Sequence, residues 1–380
     1  MFCRSAPAGD EKMDFPFRPT LTVPAKSYAV AMPPDPEKLL DCTMGVNPYG
    51  YPPAAAESLR NIDLNHLQDY PHDTVLYESV CRFWRDQAAI TPEMLFFSDG
   101  SVSGIYCLNN LFAGSVRNEV VGFVPTFTDM VESARRFGFT YRGIPMRREE
   151  NGRAAAEDLI PALSEKTAFF YIDRPNNPTG QTMPLGNVEQ LCRAAASAGA
   201  YCVIDEAYGD FLPREESAVS LMNRYDNLIV IRTFSKGFGL ANLRAGYLIL
   251  QPELVTMLKR CSNPYVLSDI QRRACAAALT EPDYPMSHGA DFSASKRQIA
   301  ETIGSRIRML ETDGRVPICC LELLGKGNLQ QLLIEEGILA ISGCDFDGLD
   351  ERYVRICVPV LHSLSRLTGA LERAERKASK

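Results

Sequence analysis

Residues 227–250 read NLIVIRTFSKGFGLANLRAGYLIL. Two apolar runs, NLIVIRTFSK (227–236) and RAGYLIL (244–250), flank a loop of hydroxyls and glycines that holds one lysine, Lys236. Runs with so few polar alternations are typical of strands covered on both faces. Upstream, YCVIDEAY (201–208), TAFFYID (167–173) and EVVGFV (119–124) repeat the pattern. Between them, residues 127–139 and 184–200 carry helical spacing. So does TVLYESVCRFWRDQ (74–87), where Val75, Val80, Phe83 and Trp84 fall close to one face. Strands alternating with helices predict an α/β fold with a mostly parallel mixed sheet between helices. In such sheets ligands bind where strands end and loops begin.

The alternation stops near residue 252. A segment around Pro264 leads into a helical stretch, roughly 266–310, broken near Pro282 and Pro285. RVPICCLELL (315–324), ILAISGC (338–344) and YVRICV (353–358) read as short strands, and 362–378 as an amphipathic helix. Pro16, Pro19, Pro24, Pro33, Pro34 and Pro36 keep the N-terminal stretch extended. The expected organisation is an arm plus part of a small domain (1–40), a large cofactor-binding domain (41–260) and a small C-terminal α/β domain (261–380).

Composition excludes several classes. Of 380 residues, 46% are hydrophobic and 23% charged, enough for a full core, and the net charge of -7 argues against nucleic acid as a partner. The twelve cysteines are scattered and the four histidines have no metal-site spacing with them, so no metal is expected and reduced thiols in the cytoplasm are. MFCRSAPAGDEKMDF holds acids and lacks a continuous apolar stretch, and no apolar run approaches the roughly 18 residues needed to cross a bilayer. A secretory signal and a membrane partner are therefore not expected.

The chemistry centres on TFSKGFGLANLRAG (233–246). A lysine in a low-dielectric site loses its charge readily and becomes a nucleophile toward a carbonyl cofactor. Thr233 and Ser235 offer hydroxyls to a phosphate, and Arg244 a bidentate fork. GFGLAN is no dinucleotide fingerprint, because the third glycine is missing. RPNNPTG (174–180) closes a strand and presents Asn177; VIDEAYGDF (203–211) ends another with Asp205 and Tyr208; SDGSVSG (98–104) opens a helix whose N–H groups suit a phosphate. Taken singly, each is more often a turn, a cap or a solvated lysine.

In this order, PNNPTG, DEAY and SKGFGLANLRAGY resemble the class I/II aminotransferases of pyridoxal-phosphate fold type I. Within that family the chain is most similar to histidinol-phosphate aminotransferases and threonine-phosphate decarboxylases, from about residue 40 to the C-terminus. The resemblance implies that Lys236 carries pyridoxal 5'-phosphate as a Schiff base and shuttles the proton. By it, Asp205 pairs with the ring nitrogen, and Asn177 and Tyr208 bind the phenolic oxygen. Gly100, Ser101, Val102, Thr233, Ser235 and Arg244 surround the phosphate, and Phe127 stacks on the ring. Tyr70 matches a tyrosine that reaches the cofactor of a neighbouring subunit, which implies a homodimer. Arg355 matches the clamp for a substrate carboxylate. MGVNPYG (44–50) takes the position of a substrate loop that includes Val46 and Asn47, although the aminotransferases carry an acid where Val46 stands. The decarboxylases carry a second arginine shortly after the first, and RICVPV lacks it. The implied activity is ping-pong transfer of an amino group between amino-acid and keto-acid substrates. An amino-acid decarboxylase, an oxygen-using oxidase and a non-catalytic cofactor-binding regulator are the alternatives.

Overall fold

The computed structural model describes residues 19–21, 26 and 38–378; most of the N-terminal arm, and so most of the 1–40 expectation, lies outside them. The strands, in chain order, are β1 (Leu40–Asp41), β2 (Leu95–Asp99), β3 (Glu119–Val124), β4 (Thr140–Pro145), β5 (Thr167–Asp173), β6 (Tyr201–Asp205), β7 (Leu228–Thr233), β8 (Ala245–Ile249), β9 (Ile307–Met309), β10 (Ile318–Leu323), β11 (Ile338–Leu339), β12 (Ile341–Ser342) and β13 (Tyr353–Cys357). The helices are α1 (Pro53–Arg60), α2 (Val75–Trp84), α3 (Gly100–Phe112), α4 (Thr128–Arg136), α5 (Ala156–Leu159), α6 (Leu185–Ser197), α7 (Pro252–Arg260), α8 (Asp269–Ala278), α9 (Gly289–Thr302), α10 (Leu329–Glu335) and α11 (Leu361–Ala378).

Seven strands form the large sheet in the order β2-β8-β7-β6-β5-β3-β4. From β7 to β4 every pairing is parallel, whereas β8 runs antiparallel to both β7 and β2. The reversal at β8 follows from its short connection: residues 234–244 are too few for the crossover that a parallel strand requires. Alternate side chains enter two cores. Phe170, Ile204, Val230 and Ile249 pack with α2 and α6, while Phe169, Val203, Ile229 and Leu248 pack with α3, α4 and α7. Both faces are covered, which is why these strands read as continuous apolar runs. β2 and β4 were not visible as strands in the sequence. β4 is an edge strand with half-exposed TYRGIP, so no apolar run marks it.

The second sheet, β12-β13-β10-β9, has its own core of Ile299, Cys319, Leu321, Val354, Ile356, Leu367 and Leu371. The boundary between the two cores differs from the expected residue 260. Leu267, Cys275 and Ala278 join the first core, and α8 packs on α1 and α2, because its apolar side faces them rather than the C-terminal strands. A Ser268–Gln271 capping box starts α8. A small apolar cluster of Tyr208, Phe211, Phe292, Val316, Ile318 and Cys357 joins elements of both sheets. Among the described residues no helix is long and apolar enough to cross a membrane.

Candidate active site

The C-terminal ends of β5, β6 and β7 and the N-terminal end of β8 lie on one edge of the large sheet. Pairing fixes this: Asp173 is opposite Asp205, and Thr233 is opposite Gly246. A cleft of about 600 Å³ opens there, lined by Ser101, Val102, Phe127, Asp173, Pro175, Asn177, Asp205, Ala207, Tyr208, Ser235, Lys236, Ala241 and Arg244. Residues scattered from 101 to 244 thus converge because each ends an element at the same edge.

Lys236 is half-buried at the wall of this cleft, its Nζ 5.6 Å from the centroid of the Tyr208 ring. Burial lowers its pKa to about 8, and the Arg355 and Arg244 guanidinium groups push in the same direction. A neutral amine is therefore accessible close to neutral pH. Asp205 accepts from the Tyr171 hydroxyl (2.7 Å) and from the Ala207 N–H (2.9 Å). Burial lifts its carboxyl to about 6, against the pull of those donors and of Lys236. A protonated ring nitrogen beside it would favour the ionised form.

Pyridoxal phosphate fits this donor set. The Tyr208 hydroxyl is buried and has no hydrogen-bond partner among the described residues, an orphan that a ligand oxygen would satisfy. Gly100, with φ +73°, begins α3 against the guanidinium of Arg244, where a Cβ would lie 3.0 Å from Cζ. A side chain on Gly246 would lie 2.7 Å from the Ser101 N atom. Both glycines keep the helix start open and close to Arg244, a site suited to a phosphate. Ser101, Val102 and Ser235 line the same end. Thr233 does not: it is buried behind Ser235, its hydroxyl 3.0 Å from the Ser235 hydroxyl and 3.1 Å from the Ala245 carbonyl. It supports Ser235 instead of facing the cleft.

Arg355, on β13, is 6% exposed and reaches across from the second sheet. Its Nη1 donates to Asn177 Oδ1 at 3.4 Å and its Nη2 to the Thr43 carbonyl. Asn47 differs from its expected substrate-facing role. Its backbone N–H donates to the Lys236 carbonyl (2.9 Å) and its Nδ2 to the Gly237 carbonyl (3.0 Å), while its Oδ1 accepts from Tyr49 N–H (3.1 Å). The first two hold the loop that carries Lys236, and the third closes a turn within residues 47–49. Val46 is half-buried beside Cys357, whose thiol points to its carbonyl at 3.7 Å, and it is not among the cleft's lining residues. Tyr70 is 69% exposed and lies against Tyr265, outside the cleft of its own chain.

Two site residues had no sequence signal. Asp173 and Tyr171 end TAFFYID and read simply as strand, yet one lines the cleft and the other holds Asp205. Beneath the cleft, a buried network also went unread. Glu206 accepts from Arg174 (3.0 Å), Arg232 (2.7 Å) and the Ala218 N–H (2.8 Å), and Arg232 pairs also with Asp210.

The pattern shared by the family described as aminotransferase class I and II matches residues 37–373. A histidinol-phosphate aminotransferase of Methanococcus maripaludis is 25% identical over 340 residues, 88% of each chain. The solved histidinol-phosphate aminotransferase of Clostridium acetobutylicum superposes with a TM-score of 0.79 at 21% identity, covering 89% of this chain and 100% of that one. That of Sinorhizobium meliloti, solved in complex with pyridoxal-5'-phosphate, gives 0.78 at 21% identity over 95% and 98%.

Proposed function

The chain belongs to the class I and II aminotransferases, and from that premise we propose how its own residues carry the reaction. It is a pyridoxal-phosphate-dependent enzyme that moves an amino group between an amino acid and a keto acid. Pyridoxal phosphate supplies an electron sink for the charge left when the α-proton departs.

Lys236 holds the cofactor through Nζ. When free, the same Nζ, its basicity lowered by burial, would hold and move the substrate's α-proton. Asp205 keeps the ring nitrogen protonated, and Tyr171 orients Asp205. Asn177 and the orphan hydroxyl of Tyr208 hold the phenolic oxygen, and Phe127 covers one ring face. The N–H groups opening α3, Ser235 and Arg244 take the phosphate. Arg355 clamps the substrate's α-carboxylate, and its bond to Asn177 couples that clamp to the cofactor end. Asn47 braces the Lys236 loop. The exposed Tyr70 reaches the cofactor of a second copy, so the working unit is a homodimer, acting in the cytoplasm. The unit that holds the cofactor runs from about residue 45 to the end of α8, while β1 and Cys42, packed with β11 and β13, join α9 onward in the smaller domain.

The observation that carries this reading is the convergence of Lys236, Asp205, Asn177, Tyr208 and Arg244 on one cleft, with the Tyr208 hydroxyl left unmet. The test is single-turnover mixing of the holoenzyme with a panel of amino acids, and with histidinol phosphate for comparison. The expected outcome is the aminated cofactor plus a keto acid from at least one amino acid. Release of carbon dioxide, or uptake of oxygen, without aminated cofactor would replace transamination by decarboxylation or oxidation.

A further inference from the structure

Asp173 is the last residue of β5, directly opposite Asp205 on β6, and is 8% exposed. Its two oxygens receive four donors. Oδ1 accepts from the Thr126 hydroxyl (2.9 Å) and from Asn176 Nδ2 (2.8 Å). Oδ2 accepts from the backbone N–H of Phe127 (3.2 Å) and of Asn177 (2.8 Å). These donors come from two separate segments. One opens α4 and presents the Phe127 ring; the other is the turn after β5 that presents Asn177. Both residues line the cleft, as does Asp173 itself.

An ionised carboxylate is acceptor-only, with about four lone-pair sites, so this environment fills it. Burial moves the Asp173 pKa up to about 7 and the neighbouring Asp205 carboxylate adds to the rise, against the donors from Asn177, Asn176 and Thr126. Two of the donors are backbone N–H groups, which cannot reverse to meet a proton. The ionised form is therefore the one the geometry accommodates.

We propose that Asp173 is a positioning residue that locks Phe127 and Asn177 into one register, so that ring stacking and contact with the phenolic oxygen are set together by a single carboxylate. The inference rests on the assignment of Phe127 and Asn177 made above. A purely structural acid would stabilise the fold without steering what Asn177 does to the cofactor.

The test uses the holoenzyme and follows the absorbance of the link between Lys236 and the cofactor as pH is varied. Its midpoint responds to hydrogen bonds on the phenolic oxygen. Asn177→Ala is expected to shift the midpoint by about one pH unit, the size of one hydrogen bond to a charged group. Asp173→Ala should shift it in the same direction, and the double variant should shift no further than Asn177→Ala alone, since both act through one contact. Cofactor dissociation should quicken about tenfold in Asp173→Ala. If that variant fails to fold, Asp173→Asn, which keeps the shape and half the acceptors, should give a smaller shift of the same sign. A midpoint that moves in Asn177→Ala but not in the Asp173 variants, or shifts that simply add, overturns the inference alone. A midpoint unmoved by Asn177→Ala overturns the assignment of Asn177 and this inference with it.

Discussion

Two layers of buried charge lie side by side at the same sheet edge, and they are built on opposite rules. In the lower layer Glu206 is met by Arg174, Arg232 and a backbone N–H, and Arg232 is met by a second acid, Asp210. In the upper layer Asp205 has one tyrosine and one N–H, Lys236 has lost basicity to burial and to two arginines, and the Tyr208 hydroxyl has no partner among the described residues. Asp205 and Glu206 are adjacent in sequence and leave the strand end in different directions. Paired charges hold a shape, because each desolvation cost is offset locally. Groups left short of partners are waiting for a ligand. Arg232 Nε in the lower layer also lacks a partner among the described residues, so what separates chemistry from scaffold is that the Tyr208 hydroxyl and Lys236 face the cleft.

The sharpest way to break that division is Lys236→Ala. It should abolish the cofactor–lysine absorbance and lower turnover by about 10⁴-fold or more, while thermal unfolding barely changes. Survival of the absorbance band would move the covalent link to another residue. Glu206→Ala should do the reverse. It strands Arg174 without a counter-charge and leaves Arg232 to Asp210 alone, and is expected to cost about 3–5 kcal/mol in urea denaturation. Unchanged stability with lost activity would erase the distinction between the layers.

Arg355→Ala should reduce kcat/KM for amino acids by roughly 100-fold, mainly through KM, as loss of a charged carboxylate clamp predicts. An effect confined to kcat would argue against a carboxylate contact. The depressed lysine makes a pH prediction. Capture of pyridoxal phosphate by cofactor-free protein should accelerate as pH rises toward about 8 and level off above it, where Nζ is already neutral. A rate still climbing near 10 would mean that the pocket does not depress Lys236. The smallest effect belongs to Tyr208→Phe. About a tenfold drop in kcat is expected, with stability within about 1 kcal/mol, because the deleted hydroxyl had no partner to lose.

Much of this was legible in the sequence, for identifiable reasons. The residues brought to the cleft, Lys236, Asp205, Asn177, Tyr208, Ser235 and Arg244, all end an apolar run or sit in the turn beyond it. Where a strand ends, a polar residue stands out against its apolar neighbours. Asp173 was hidden although it also ends a strand, because the conspicuous PNNPTG turn follows two residues later. Thr233 and Asn47 were drawn into the site by their position next to it, yet their hydrogen bonds turn toward the loop they support. Proximity in sequence does not tell which side of a loop a side chain faces. The half-exposed β4 left no pattern, and α8 was assigned to the wrong side of the core boundary because amphipathic spacing shows that a face is buried, not against what.

By itself, then, the sequence determined that a covered, mostly parallel sheet is present and that its strand ends carry a lysine, an acid, an amide, a phenol and an arginine. Periodicity and local polarity are written residue by residue and survive in one dimension. Only the tertiary structure decided that those ends share one edge, that Arg355 reaches them from a second sheet, and that Asp173 ties two of them together. Each of these depends on strand order and packing between segments as much as 312 residues apart, as in the bond from Arg355 to Thr43, and no local pattern encodes that.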